Sequence, residues 1–390
     1  MNKWPYIGAG AVLATCCIGI AFWILRSDAA EQRRYAGNET EVVIANPTRL
    51  PVRLFQAGEN LNTAREVSGL TQSRISLGPG NFFIRAEHPN GTLLYPVPVL
   101  GYNGGPERDG SLLITVRPPP EQRPPVLDGA SQLVFIPSGH FLMGDRNNPR
   151  ELQYAWVTGF FMALFETTNA EFRQFLNDGY LDDANWSEKG KRWKVSHRTA
   201  SSASLRSGDA EYGRFGQPGN PVVNVTWFEA NAYCHWLTAK LGGGTWIFSL
   251  PSDAEWEKAA RGPDNFDYGL SMTISDREAT LYNWRKNPGV PVTVVDIAAS
   301  HAGYVANRYG LYHMSGNVAE WTQSIFRPYG RDNPYADDDR NHDDTPGSRT
   351  ARGGSWYSAT AAPLYIPYRD AFQPDHNNND LGFRVVARLP

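Results

Sequence analysis

The sequence predicts an α+β chain made of an N-terminal transmembrane helix, a small antiparallel β-sandwich and a larger domain of low regularity. Three observations carry that prediction. Residues 4–25 form an uncharged apolar run bounded by Lys3 and Arg26. Five short alternating runs follow between residues 41 and 116, separated by Gly, Pro and Asn. Beyond a proline-rich tract, three helix-start signatures stand among long stretches rich in Gly, Asn and Pro.

The apolar run matches the ~20 residues that cross a ~30 Å hydrocarbon layer, so residues 1–26 are expected to be a single-pass membrane anchor. A cleaved signal peptide would have a shorter apolar region and a small-residue cleavage site. Leu13-Ala-Thr-Cys16 resembles an acylation site, although Thr15 suits that chemistry poorly. Arg26, Arg33 and Arg34 outnumber Lys3 and nominally hold the body inside, but large domains cross membranes largely regardless of a few charges. The short N-terminal tail favours an inner (cytoplasmic) membrane location with a periplasmic or other extracytoplasmic body.

Residues 39–117 contain Glu41–Ala45, Val52–Phe55, Asn81–Ala86, Leu93–Leu100 and Leu112–Val116, each alternating with period 2 and bounded by turn residues. A small antiparallel sandwich is the expected result. Residues 118–127, within Arg117-Pro-Pro-Pro-Glu-Gln-Arg-Pro-Pro125, read as an extended, semi-rigid linker.

Residues 128–390 read as one domain. It opens with a strand, turn and strand over Leu133–Gly144. Thr168, Thr226 and Ser252 each precede an apolar-periodic segment and have Glu three residues on (Glu171, Glu229, Glu255), which is the capping-box spacing. The expected inward positions are Phe172, Phe175 and Leu176 in the first helix. In the second they are Trp227, Ala230, Tyr233, Cys234 and Leu237.

Composition narrows the function. A formal net charge of −3 without a concentrated basic face gives no reason to expect nucleic acid. Cys16 and Cys17 lie in the apolar run, so Cys234 is the only thiol of the remaining chain. An intramolecular disulfide there and a Cys-rich metal site are both excluded.

The segments Ile136-Pro-Ser-Gly-His-Phe-Leu-Met-Gly144, Glu166-Thr-Thr-Asn-Ala-Glu-Phe172, Pro221-Val-Val-Asn-Val-Thr-Trp227, Leu250-Pro-Ser-Asp-Ala-Glu-Trp-Glu257, Gly316-Asn-Val-Ala-Glu-Trp321, Arg352-Gly-Gly-Ser-Trp356 and Leu381-Gly-Phe-Arg384 occur in register. In order and composition this set resembles the formylglycine-generating, sulfatase-modifying-factor family over roughly residues 131–388. The resemblance implies a C-type-lectin-like fold with bound calcium and a surface groove for substrate. It also implies two copper-binding cysteines, three residues after the serine of Gly-Gly-Ser and five further on. Ser358 and Pro363 hold those places, and neither supplies a soft thiolate. No copper is expected, and Cys234 reads as a small buried hydrophobe.

For calcium the resemblance implies two sites. One would use Gly316, Val318 and Glu320, with His313 where the family has Asn; imidazole is a poor ligand for a hard cation. The other would use Asn283, Trp284 and Asp296. The groove would be lined by Ser355, Ser358, Tyr365, Tyr368, Arg369, Asp370 and His376, with Ala319 replacing a family tryptophan. Asp337–Asp344 and Asp375–Asp380 read first as solvated or turn-forming loops. The expected function is a membrane-anchored envelope accessory or recognition protein that binds a protein, peptide or glycan. The alternative is a divergent metal-dependent oxidoreductase or modifying enzyme, drawing on scattered histidines (His140, His197, His235, His301, His313, His342, His376).

Overall fold

The computed structural model describes residues 39–67, 73–100, 105–127, 132–148, 150–285, 293–329 and 341–390. Strands β1 (Thr40–Ala45), β2 (Val52–Gln56), β3 (Arg65–Val67), β4 (Arg74–Leu77), β5 (Gly80–His88), β6 (Gly91–Val99) and β7 (Leu112–Thr115) form two sheets, ordered β4-β1-β7 and β3-β2-β5-β6. Alternation along them puts Val42, Ile44, Leu54, Ile84 and Val97 into one shared apolar cluster. β1 and β7 pair in parallel, so the sheets are not purely antiparallel as the punctuated runs predict. The long connection after β6 lets β7 return beside β1 in the same direction, which a tight hairpin could not do.

The rest of the chain runs β8 (Leu133–Ile136), β9 (Gly139–Met143), β10 (Gln153–Val157), β11 (Phe160–Ala163), α1 (Asn169–Asp178), α2 (Glu188–Ser196), α3 (Trp227–Leu241), β12 (Ile247–Ser249), α4 (Asp253–Arg261), α5 (Asp276–Ala279) and α6 (Ile297–Gly303). It ends with β13 (Ala319–Ile325), β14 (Arg349–Arg352), β15 (Asp370–Phe372), β16 (Leu381–Gly382) and β17 (Val386–Arg388). The sheets are β12-β17-β11-β8, β15-β14-β13-β16 and the β10-β9 pair. The mixture is α+β. Capping boxes form at Thr168–Glu171, Thr226–Glu229 and Ser252–Glu255. The inward faces are those the periodicity predicts: Phe172, Phe175, Trp227, Tyr233, Cys234 and Leu237 share one aromatic-rich core. Leu127, at the end of the proline-rich tract, packs into that same core.

α4 departs from the amphipathic expectation, because all nine of its residues are buried, charged ones included. Each charge has a partner that makes burial tolerable. Arg352 bridges Asp253 at 2.5 Å and Glu257 at 2.9 Å, and Arg261 bridges Glu257 and Asp267 at 2.9 Å each. Lys258 donates to the Pro137 and Gly139 carbonyls at 2.6 and 2.9 Å.

The β1–β7 sheets touch the remainder through main-chain and side-chain hydrogen bonds, the Met272 N–H donating to the Glu59 carbonyl at 2.9 Å. Tyr154 Oη donates to the Pro98 carbonyl (2.9 Å), Asn265 Nδ2 to Asn81 Oδ1 (3.0 Å) and Arg308 Nη2 to the Leu61 carbonyl (2.8 Å).

The anchor expected over residues 4–25 lies outside the described residues. Among the described residues no helix is long and apolar enough to cross a membrane. The longest, α3, has 15 residues against the ~20 that a span requires. This corrects the transmembrane element of the predicted fold, and with it the single-pass inner-membrane location.

Candidate functional site

Four segments meet at Asn317. The Gly316-Asn317 turn needs positive φ at both residues, 92° and 64°. A Cβ at 316 would lie 2.5 Å from the Asn283 carbonyl oxygen, so only glycine allows this approach. Asn317 Oδ1 accepts from Asn283 Nδ2 (3.0 Å) and from the Val295 N–H (2.8 Å), while its Nδ2 donates to Glu166 Oε1 (3.0 Å). Its carbonyl accepts from the Trp356 N–H at 2.7 Å, linking the turn to the Gly-Gly-Ser segment.

The carboxylate of Glu320 is fully engaged by protein. Arg384 grips it from Nη2 to Oε1 (2.6 Å) and from Nε to Oε2 (2.7 Å), and Trp256 Nε1 donates to Oε2 (2.7 Å). A metal at Gly316, Val318 and Glu320 would have to displace that pair. His313 is likewise engaged: Nε2 lies 2.6 Å from Ser300 Oγ. Burial, aided by the Arg384 charge, pushes the His313 pKa down to about 3, so the ring is neutral. Glu166 moves the other way, up to about 8. Burial is the main cause, Arg384 opposes it and Glu320 adds to it.

The second expected calcium set differs. Asn283 Nδ2 serves Asn317 and the Thr293 carbonyl (2.9 Å), but its Oδ1 is buried without a hydrogen-bond partner among the described residues. An unpaired buried oxygen of this kind suits a hard cation. Asp296 lies on the neighbouring segment and its main-chain oxygen accepts from Ser300. Trp284 Nε1 donates to the Ala279 carbonyl at 3.0 Å.

The seven expected groove residues divide. Ser355 and Ser358 close a turn: Ser358 Oγ accepts from the Ser355 N–H (3.0 Å), and the Ser358 N–H donates to the Ser355 carbonyl (3.0 Å). Ser355 Oγ donates to Asp380 Oδ2 at 2.7 Å. Tyr368 Oη donates to Asp370 Oδ1 at 3.0 Å. The Asp370 carboxyl is held above its usual range by burial and by the charge of Asp380, against the Tyr368 bond. Tyr365 instead donates to Asp145 (2.6 Å), in a different neighbourhood. Arg369 joins the buried ion network, 3.1 Å from Asp253 and 3.5 Å from the Tyr329 ring. His376 lies flat on Phe372 with ring centroids 4.5 Å apart. Ser355 and Ser358 are buried, at 3% and 8% exposure, so of these residues Tyr368 and Asp370 reach the surface, with Asp380 added from a segment whose sequence reads only as a turn.

The places where the resemblance implies copper-binding cysteines hold Ser358 and Pro363, which carry no sulfur. Gly354 has φ 63° and packs so closely that a Cβ there would meet Pro363 at 2.8 Å, which keeps Ser358 and Pro363 in one tight fold of the loop. Cys234 is completely buried, and burial holds its thiol far above the usual range. Among the described residues no group of three or more His, Cys, Asp or Glu could hold a metal ion. His235 pairs with Asp343, and His301 packs against Phe165 and Tyr312.

Comparison with known proteins agrees with the motif order. Residues 120–389 match the family model described as "Sulfatase-modifying factor enzyme 1-like domain". The chain is 32% identical over 273 residues to the hercynine oxygenase of Mycolicibacterium smegmatis, covering 63% of this chain and 58% of that one. It is 28% identical over 264 residues to the serine/threonine-protein kinase pkn1 of Chlamydia caviae, covering 66% of this chain but only 38% of the kinase. The chain thus spans well under two thirds of either relative. The solved structure of PvdO from Pseudomonas aeruginosa has the same fold over 69% of this chain and 100% of its own, with a TM-score of 0.50 and 20% identity. With a family match over more than half of its length and the Asn317-centred turn in place, this chain belongs to the sulfatase-modifying-factor family.

Proposed function

We propose that the family domain is a recognition domain, which binds an extended segment of a partner protein across the surface of Tyr357, Tyr368, Asp370 and Asp380. It does so without copper-dependent formylglycine formation. The observation that carries this reading is the pair Ser358 and Pro363. One hydroxyl already accepting a main-chain N–H and one imino acid stand where two thiolates would be needed for soft-metal chemistry. A fold keeps no activity once its site residues are gone.

The surface suits a macromolecular ligand with a basic side chain. Tyr357 and Tyr368 are exposed at 54% and 38%, and tyrosine is a frequent anchor in interfaces. Asp370 and Asp380 place two carboxylates beside them. In the kinase-named relative the matched region is a minor part of a longer chain, as an appended recognition module would be.

A structural Ca2+ belongs to the same reading, held by Asn283 and Asp296 rather than by Glu320. When bound, the ion supplies only charge and oxygen coordination. It would satisfy Asn283 Oδ1 and fix the Asn317 turn on which the surface rests. Calcium is expected to raise the melting temperature of the full chain relative to chelator, and to lose that effect in Asn283→Ala. An unchanged melt with calcium refutes the assignment.

The recognition reading is tested with a basic-residue peptide library and with a cysteine-bearing sulfatase peptide supplied with copper. Selected basic peptides should bind at least tenfold more weakly to Asp370→Asn, and the cysteine peptide should stay unconverted. Conversion of its thiol to an aldehyde, read by mass, overturns the proposal.

A further inference from the structure

β15 is an outer strand of the β15-β14-β13-β16 sheet and pairs on one side only, with β14. We propose that its free edge takes the partner segment as an added antiparallel strand, whose motif from N- to C-terminus is an apolar residue, any residue and a basic residue. This inference rests on the recognition reading above and gives it a binding mode and a partner motif.

The direction of the main chain decides what the edge offers. Along a strand the N–H and C=O groups of successive residues point to alternate sides. The Ser348 carbonyl accepts from the Phe326 N–H (2.8 Å) and the Thr350 carbonyl from Thr322 Oγ1 (3.1 Å), both on the β13 side. Arg349 and Ala351 therefore turn their main-chain groups to β15, opposite Phe372 and Asp370. Ala371, opposite Thr350, directs its own N–H and C=O outward. The opposite phase would bond Ser348 to Gln373 and Arg352 to Arg369, and neither bond forms. Ala371 is exposed, and among the described residues nothing meets its outward N–H and C=O.

Other strand edges of the domain are closed. At β12, the Phe248 N–H donates to Thr238 Oγ1 (2.8 Å) and the Phe248 carbonyl accepts from it (3.1 Å). At β16, a Cβ on Gly382 would lie 2.5 Å from the Val222 carbonyl oxygen. Strand addition needs free main-chain groups, and Ala371 has them. With three residues, β15 offers one outward pair, which suits a short segment and discourages open-ended stacking.

Side-chain alternation sets the motif. Asp370 and Phe372 share one face of β15 and Ala371 has the other. In an antiparallel addition, one partner residue exchanges both main-chain hydrogen bonds with Ala371. Its C-terminal neighbour then lies across from Asp370 and its N-terminal neighbour across from Phe372. Asp370, with Asp380 nearby, calls for a cation, whereas the half-buried Phe372 ring, packed on Trp321 and His376, calls for an apolar side chain. A second copy fits poorly, because self-pairing about Ala371 would set Phe372 against Asp370 and bring no cation to either carboxylate.

The test uses the full chain and ligand-observed NMR titration of short peptides, flanked by Gly and Ser, that contain Val-Ser-Arg, the reversed Arg-Ser-Val or Val-Ser-Ser. Val-Ser-Arg should bind at least threefold more tightly than the other two. Methylating its central serine amide should weaken it at least threefold, since that N–H goes to the Ala371 carbonyl. Methylating the arginine amide, which points away from β15, should not. Ala371→Pro should weaken binding as the serine methyl does, because it removes the outward N–H and leaves the ladder donors of Asp370 and Phe372 in place. Ala371→Val keeps the N–H and should retain affinity. The far-UV spectrum and melt verify folding, and if the proline variant does not fold, the two methylated peptides on the unaltered chain decide alone. Binding that is weakened by Asp370→Asn but indifferent to Ala371→Pro and to serine methylation overturns strand addition and leaves the recognition reading standing. Equal binding of Val-Ser-Arg and Arg-Ser-Val, or no binding by any of the three, also overturns it, the recognition reading then being decided by its own peptide library. A dimer in light scattering that Ala371→Pro dissociates would give the edge to a second copy and overturn it too.

Discussion

Glu166→Gln should make the protein more stable above pH 5, and by an amount that grows with pH. Glu166 is buried beside the Glu320–Arg384 pair, and its carboxyl is pushed from an ordinary 4.5 up to about 8. The unfolded chain therefore gives up this proton near pH 4.5, whereas the folded chain keeps it to about pH 8. Between those values the native state binds one proton more, and stability falls as pH rises. Below pH 4.5 both states are protonated and the cost vanishes. At about 1.4 kcal/mol per pH unit, the penalty at pH 7 is on the order of 3 kcal/mol. Glutamine stays neutral at every pH and retains an oxygen for Asn317 Nδ2, which now donates to Glu166 at 3.0 Å. Urea unfolding of both proteins at pH 5, 7 and 8, with chelator present, reads the difference directly. Lys258 and His313, shifted by burial to about 7 and about 3, titrate in both proteins and cancel. Parallel stability curves for the two proteins, or a variant that is weaker at all three pH values, would refute the assignment of Glu166 as a neutral buried acid.

Arg352→Met should cost about 3–5 kcal/mol in urea unfolding, because it strands Asp253 and Glu257 unpaired in the interior. Arg74→Met, which breaks an exposed pair with Glu41 at 2.9 Å, should cost less than ~1 kcal/mol. Thr226→Ala removes a buried cap from α3 and should destabilise by about 1–2 kcal/mol by the same measurement. Cys234 should resist a thiol reagent in the native state and react fully once urea unfolds the chain.

What the sequence reveals and what it hides have one physical cause. Local signals are legible wherever the deciding interaction lies within a few residues. Thr168, Thr226 and Ser252 cap their helices through Glu three residues later, and the α3 face from Trp227 to Leu237 is buried as its period requires. Long-range pairings are not. Nothing local distinguishes Glu257, Lys258 and Arg261 from a solvated helix face, because their partners come from Arg352, Pro137 and Asp267. The parallel β1–β7 pairing is hidden for the same reason, since direction is set by where a distant strand returns. At the candidate site, position after Gly-Gly locates Ser355 and Ser358 but does not reveal that both are buried. Arg369 passes for a groove residue because its sequence neighbours are surface residues while its counterion, Asp253, is 116 positions away.

That separation explains how the family motifs can be kept while the positions of the implied copper-binding cysteines differ. Within Arg352-Gly-Gly-Ser-Trp356 the arginine closes the interior ion network, the glycines supply positive φ, and Trp356 packs beneath the Asn317 turn. Ser355, buried as well, joins Ser358 and Asp380 in the local turn. In Gly316-Asn-Val-Ala-Glu-Trp321, likewise, Asn317 and Glu320 hold the scaffold through Asn283, Glu166 and Arg384, and Ala319 alone stands at a changed groove position. Most motif residues thus answer to folding, and their presence reports the fold with little bearing on catalysis. Ser358 and Pro363, which stand where the resemblance implies copper-binding cysteines, take no part in the ion network. They can change without the several-kcal/mol penalty attached to Arg352 or Glu320, and this leaves room for the proposed change from oxidation to binding.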